Sequence, residues 1–91
     1  MKVEQYLINK YGINICKYSG FEIMCYVIKK YKGFNNVKLT ELYKELGNLF
    51  GKNYGAIERN LRHFRVKIGD KCETNKDFVL TNIIGYRNEV K

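Results

Sequence analysis

Residues 53–65, NYGAIERNLRHFR, hold three of the chain's four arginines and its single histidine. Lysine outnumbers arginine thirteen to four overall, so the segment stands apart from the rest of the chain. An arginine guanidinium is a rigid fork that bonds O6 and N7 of guanine together, whereas lysine delivers a point charge. A carboxylate among these cations, Glu58, is repelled by phosphates. At a nucleic-acid surface it serves either to accept from a cytosine amino group or to orient a neighbouring arginine. Gly55 and Ala56 keep the start of the segment slim, and free N–H groups at a helix start attract phosphate. The plainer reading is a solvated helix face, on which Glu58 and Arg62 are an ordinary i,i+4 pair contributing about 0.2–0.5 kcal/mol.

Other reactive side chains form no comparable group. Cys16, Cys25, Cys72 and His63 are the soft metal ligands, and their spacings fit no zinc motif, so no metal is expected. A cysteine paired with His63 lacks an orienting third group and an oxyanion feature. Gly33, Gly47, Gly51 and Gly55 are turn or helix glycines rather than a phosphate loop. The eight tyrosines are read as core and rim, not as stacking platforms. No enzyme activity, cofactor or small-molecule substrate is expected.

The arginine segment needs a scaffold, and apolar spacing predicts one built of helices. A first helix runs over about Val3 to Tyr11, with Val3, Leu7 and Tyr11 on one stripe and Gly12 as its stop. "INICKY" (13–18) is a connector whose apolar residues lie against the core. "SGFE" has the form of a capping box in which Ser19 and Glu22 open a second, central helix. Phe21, Met24, Val27, Ile28 and Tyr31 follow at helical intervals. After the loop "GFNNV" (33–37), Thr40 is the expected cap of a third helix, Glu41 to Phe50, with Leu42, Tyr43, Leu46, Leu49 and Phe50 inward.

Gly51 and Lys52 form a tight turn, Asn53 caps, and a fourth helix spans Tyr54 to about Lys67. Stepping about 100° per residue puts Leu61, Phe64 and Ile68 within roughly 40° of Ile57. Gly55, Arg59, Arg62 and His63 fall on the opposite half. Two helices joined by so short a turn with a glycine match a helix-turn-helix over about 40–67, a pattern shared with plain helical hairpins. Thr74 caps a last helix to about Arg87. The expected fold is all-α: one domain over residues 1–91, five to six helices, containing a helix-turn-helix.

Composition bounds the partner. At 91 residues the chain makes one domain with a modest core. Hydrophobic content of 45% and charged content of 29% are globular values. A net charge of +8 favours a polyanion, nucleic acid before an anionic membrane. An odd cysteine count without CxxC spacing, and an N-terminus without an apolar segment, lead to the expectation of a cytoplasmic protein. The apolar-rich run "GFEIMCYVI" is too short to span a bilayer.

With those residues in view, "AIERNLRHF" resembles the recognition helix of a known family. It is the C-terminal effector domain of the response regulator that initiates sporulation in endospore-forming bacteria, where the pattern runs S-R-V-E-R-A-I-R-H. Glu58 and Arg59 take the E-R places and Arg62 and His63 the R-H places. "KYGINICKYSGFEIMCYVI", "KLTELYKELGNLFGKN" and "TNKDFVL" are similar to further stretches of that domain. Gly55 and Ala56 stand where the family has serine and arginine, and only "VKIGDKCE" fills the place of an additional helix.

The resemblance implies a stand-alone, shortened effector domain without a receiver domain, binding double-stranded DNA at a TGTCGAA-like box. Base contacts are expected from Glu58 and Arg59, and base or backbone contacts from Arg62 and His63. Phosphate contacts are expected from Lys52, Asn53, Gly55 and Arg65, with Lys38 or Lys44 as additions. A homodimer on DNA is a further expectation; the alternative function is an interaction module that modulates a full-length relative without itself binding DNA.

Overall fold

Five α-helices and one 3-10 turn account for most of the chain in the computed structural model, which describes residues 1–90. In order they are α1 (Val3–Tyr11), the 3-10 turn Ile13–Lys17, α2 (Ser19–Tyr31), α3 (Leu39–Phe50), α4 (Tyr54–Lys67) and α5 (Asn75–Glu89). The fold is all-α, with no strand among the described residues. No helix among them is long and apolar enough to cross a membrane.

The core is organised on α2, which buries Ile23, Met24, Cys25, Val27 and Ile28 and packs against α1, α4 and α5. α4 contributes Ile57, Leu61 and Phe64, and α3 contributes Leu42, Tyr43 and Leu46. Each such side chain removed from water stabilises the fold by about 1.5–3 kcal/mol, so the inward stripes decide how the helices lie. Close approach is bought at one point by a missing side chain: a Cβ on Gly20 would sit 2.3 Å from Phe64 Cβ. The first turn of α2 therefore lies directly on the middle of α4.

Several helix ends match the sequence reading. Asn53 caps α4 by accepting from the Ala56 N–H at 2.8 Å, and Thr74 caps α5 by accepting from the Asp77 N–H at 3.1 Å. Gly51 ends α3 in the left-handed region at φ 66°, a conformation glycine adopts without steric cost. The Lys52 N–H then turns back to the Gly47 carbonyl at 2.9 Å, closing a three-residue connection between α3 and α4.

Other ends correct it. The expected Ser19–Glu22 capping box does not form. Tyr18 occupies the cap position with no side-chain bond, and Ser19 is already helical. The preceding 3-10 turn causes this: the Tyr18 N–H bonds the Ile15 carbonyl and the Phe21 N–H bonds that of Tyr18, so the helix begins one residue early. Likewise α3 starts at Leu39, not after Thr40, because the Leu42 N–H reaches the Lys38 carbonyl at 3.0 Å. Leu49, expected inward, is 54% exposed, since it lies at the edge of the stripe in the last turn. In the connector Ile15 is buried while Ile13 faces out.

A buried polar network joins the ends of the chain. Asn82, fully enclosed, donates to the Phe78 carbonyl at 2.9 Å. Its Oδ1 accepts from the Tyr6 hydroxyl (3.4 Å) and from Lys10 Nζ (3.3 Å) and lies 3.2 Å from the Tyr11 hydroxyl oxygen. Tyr11 donates its proton to Asp70 in the loop after α4. Burial, then the Asp70 carboxylate, pushes the Tyr11 phenol far above its ordinary value. Burial alone would raise the Asp70 carboxyl, but the bonds from Tyr11 and the Cys72 N–H outweigh it and hold it low.

Candidate nucleic-acid interface

The outer face of α4 carries Arg59, Arg62 and His63, all exposed, opposite the buried Ile57, Leu61 and Phe64. The helical wheel thus assigned the two faces as they lie. Arg59 has no ion pair or hydrogen bond among the described residues, so its guanidinium is open to a ligand. Arg62 Nη1 lies 3.2 Å from Glu58 Oε1. Glu58 is half-buried, and its second oxygen, Oε2, is enclosed without a hydrogen-bond partner. The carboxylate is thus paired with Arg62 through one oxygen and enclosed at the other.

At the N-terminal end of α4, Tyr43, Lys44, Gly47, Asn48, Lys52 and Asn53 line a cleft of about 360 Å³ with no carboxylate in its wall. The Tyr54 ring stands edge-on to Tyr43 at 5.0 Å and forms part of the same wall. Gly55 is exposed and meets only Asn53 Oδ1, at 3.6 Å from where a Cβ would sit. The Asn53 side chain is spent on the Ala56 N–H. The backbone N–H groups of Tyr54 and Gly55, ahead of the first intrahelical bond, remain the free donors of this turn.

Arg65, an expected phosphate contact, is engaged elsewhere. Its Nη1 donates to the Cys72 carbonyl at 2.8 Å and its Nε to Asn75 Oδ1 at 3.2 Å. It braces the loop between α4 and α5, because at its half-buried position the loop carbonyls are nearer than solvent. Lys38 is exposed at the start of α3, outside the cleft that holds Lys44 and Lys52.

The residue that sequence reasoning missed is Asn75. Its Nδ2 donates to the Tyr43 hydroxyl at 3.0 Å and to the Glu58 carbonyl at 3.1 Å. One amide thereby links α3, α4 and α5 behind the basic face. Nothing local flags it, since an asparagine after a threonine cap reads as an ordinary first-turn residue. Asn82 did leave a signal: it lies four residues after Phe78 and four before Tyr86, on the buried stripe of α5.

Among the described residues no group of three or more histidine, cysteine or acidic side chains is placed to hold a metal ion. The three cysteines are unpaired, and burial pushes the Cys25 thiol up to about 12. Comparison of the chain with protein-family models, curated proteins and solved structures gives no match.

Proposed function

We propose that the chain is a cytoplasmic transcription regulator of the sporulation-effector type that binds double-stranded DNA. In this reading α3 and α4 act as a helix-turn-helix, with α4 in the major groove. The observation that carries it is the unshared Arg59 guanidinium on the outer face of α4. It stands beside Arg62 and His63, and an acid-free cleft with Lys44 and Lys52 lies at the same helix's N-terminus.

Arg59 reads a base, with the fork geometry suited to guanine. Glu58 acts through Arg62, holding that guanidinium in one orientation as the helix docks. Lys52, the free N–H groups at Tyr54 and Gly55, and Lys44 meet one phosphate strand, where the helix dipole adds to the attraction. Arg65 is left out of the contact set and serves the scaffold. Slim Gly55 and Ala56 let the backbone approach the groove more closely than a serine–arginine pair would.

The test is a fluorescence-anisotropy titration of the chain against duplexes with and without a TGTCGAA-like box, followed by selection from a random duplex pool. Preference for one recovered sequence supports the reading. Equal affinity for every duplex with a steep salt dependence reduces it to sequence-neutral binding. Absence of duplex binding at low salt overturns it and leaves pairing with a second protein as the mode to pursue.

A further inference from the structure

A second carboxylate-free cleft, of about 210 Å³, lies between the start of α2 and the far half of α4. Tyr18, Ser19, Gly20, Asn60, His63 and Lys67 wall it, with the Phe64 ring at its base. The cleft at Lys44 and Lys52 shares this lack of acid, whereas the larger clefts beside Glu4 and Glu22, beside Asp70 and beside Glu89 do not. These two carboxylate-free clefts both lie against α4, one towards each end.

The wall of this cleft is rich in donors. Lys67 and His63 are exposed, and Lys17 adds charge at the rim, its Nζ 5.3 Å from the Tyr18 ring centroid. Asn60 Nδ2 is enclosed and has no hydrogen-bond partner, which is costly unless something supplies an acceptor. α2 starts here without a side-chain cap, so the Ser19 and Gly20 N–H groups, ahead of its first intrahelical bond, are free as well. The absence of the Ser19–Glu22 capping box thus leaves the Ser19 N–H unsatisfied in a residue that lines the same cleft as Asn60, His63 and Lys67.

We infer that this cleft seats a phosphate group. Resting on the DNA reading above, that group belongs to the strand across the groove from the one met by Lys52. The spacing agrees: at about 1.5 Å per residue, His63 lies roughly 15 Å beyond Asn53 along α4, and a major groove is about 12 Å wide. Asn60, His63 and Lys67 also share one flank of the helix, within roughly 60° on the wheel. α4 is then held by a phosphate seat on each wall of the groove, with Arg59 between them.

The test uses the full chain labelled with nitrogen-15, titrated first with inorganic phosphate and then with a duplex selected as above. The Ser19 and Gly20 amide signals and the Asn60 side-chain amide signals are expected to move in both titrations. Lys67→Gln, an exposed and fold-neutral change, is expected to lower the slope of log affinity against log salt by about 0.9, the value of one released contact. Duplex binding that leaves those signals in place, with an unchanged slope in Lys67→Gln, overturns the seat and leaves the α4 reading standing. Shifts with phosphate but no duplex binding keep the seat as a site for free phosphate and overturn its DNA source. No shift with either ligand overturns the seat outright.

Discussion

Asn75 Nδ2 lies 3.0 Å from the Tyr43 hydroxyl, joining the first turn of α5 to the middle of α3 across the back of α4. The same amide bonds the Glu58 carbonyl and accepts from Arg65 Nε. The proposed reading helix is thus held from behind by hydrogen bonds, in addition to the packing of Ile57, Leu61 and Phe64.

Removing that amide should cost stability. Asn75→Ala leaves the Arg65 Nε and the Tyr43 hydroxyl without this partner and takes one donor from the Glu58 carbonyl, and a loss of about 1–3 kcal/mol is expected. Urea denaturation checks it, as a lower midpoint with an unchanged slope. A midpoint equal to that of the parent chain would show that the bonds carry no net stability.

Three glycines should respond in opposite directions to alanine. Helix propensity favours alanine by about 0.5–1 kcal/mol wherever space allows. At Gly55 the added Cβ meets only Asn53 Oδ1 at 3.6 Å, so Gly55→Ala is expected to stabilise by up to that amount. At Gly20 the Cβ falls 2.3 Å from Phe64 Cβ, and at Gly47 it falls 2.5 Å from the Lys52 carbonyl oxygen. Both changes are expected to lower the melting temperature. A stable Gly47→Ala chain would mean that the turn between α3 and α4 is not held as described.

Stability should fall at both extremes of pH. The folded Asp70 carboxyl is held below its ordinary value of 3.8, so its contribution is full above that value and is lost as pH falls through the folded one. The phenols of Tyr6, Tyr11 and Tyr43 are all raised above 10.0, chiefly by burial. Their contribution is full below about pH 10 and declines as pH rises, because the unfolded chain then releases protons that the folded one retains. Ultraviolet titration of phenolate should show at least one tyrosine resisting ionisation until the chain unfolds. Asp70→Asn should flatten the acid limb; an unaltered limb would remove Asp70 from this role.

On DNA, the arginines of α4 should separate by role. Arg59→Ala is expected to cost about 1–3 kcal/mol on a selected site and to relax specificity at one position. Lys52→Ala should weaken all duplexes alike and lower the salt slope by about 0.9. Arg65→Ala should instead lower the melting temperature, because its donors hold the Cys72 carbonyl and Asn75. Equal losses of selected and random binding in Arg59→Ala would remove it from base reading.

Local chemistry made much of this molecule legible in the sequence. Periodic apolar positions located all five helices, because a helix that buries a stripe must repeat that stripe every three to four residues. The Asn53 and Thr74 caps and the Gly51 stop were visible for a similar reason, since each serves backbone groups within a few residues of itself. So was the division of α4 into an apolar face and an arginine face. These features depend on neighbours in the chain, and the chain order displays them.

Tertiary structure decided what depends on distant residues. Ser19 and Glu22 have the spacing of a capping box, yet the 3-10 turn before them and the Phe64 surface below Gly20 set where α2 begins. Arg65 and Arg62 look alike in sequence. The first is spent on a loop seven to ten residues away, and the second pairs with Glu58 one turn back. Asn75 and Asn82 became anchors only when Tyr43, Tyr6 and Tyr11 were brought to them from 32, 76 and 71 positions away. Hydrogen bonds of that span have no periodicity to betray them; only the packing of one helix on another places their partners within 3.4 Å.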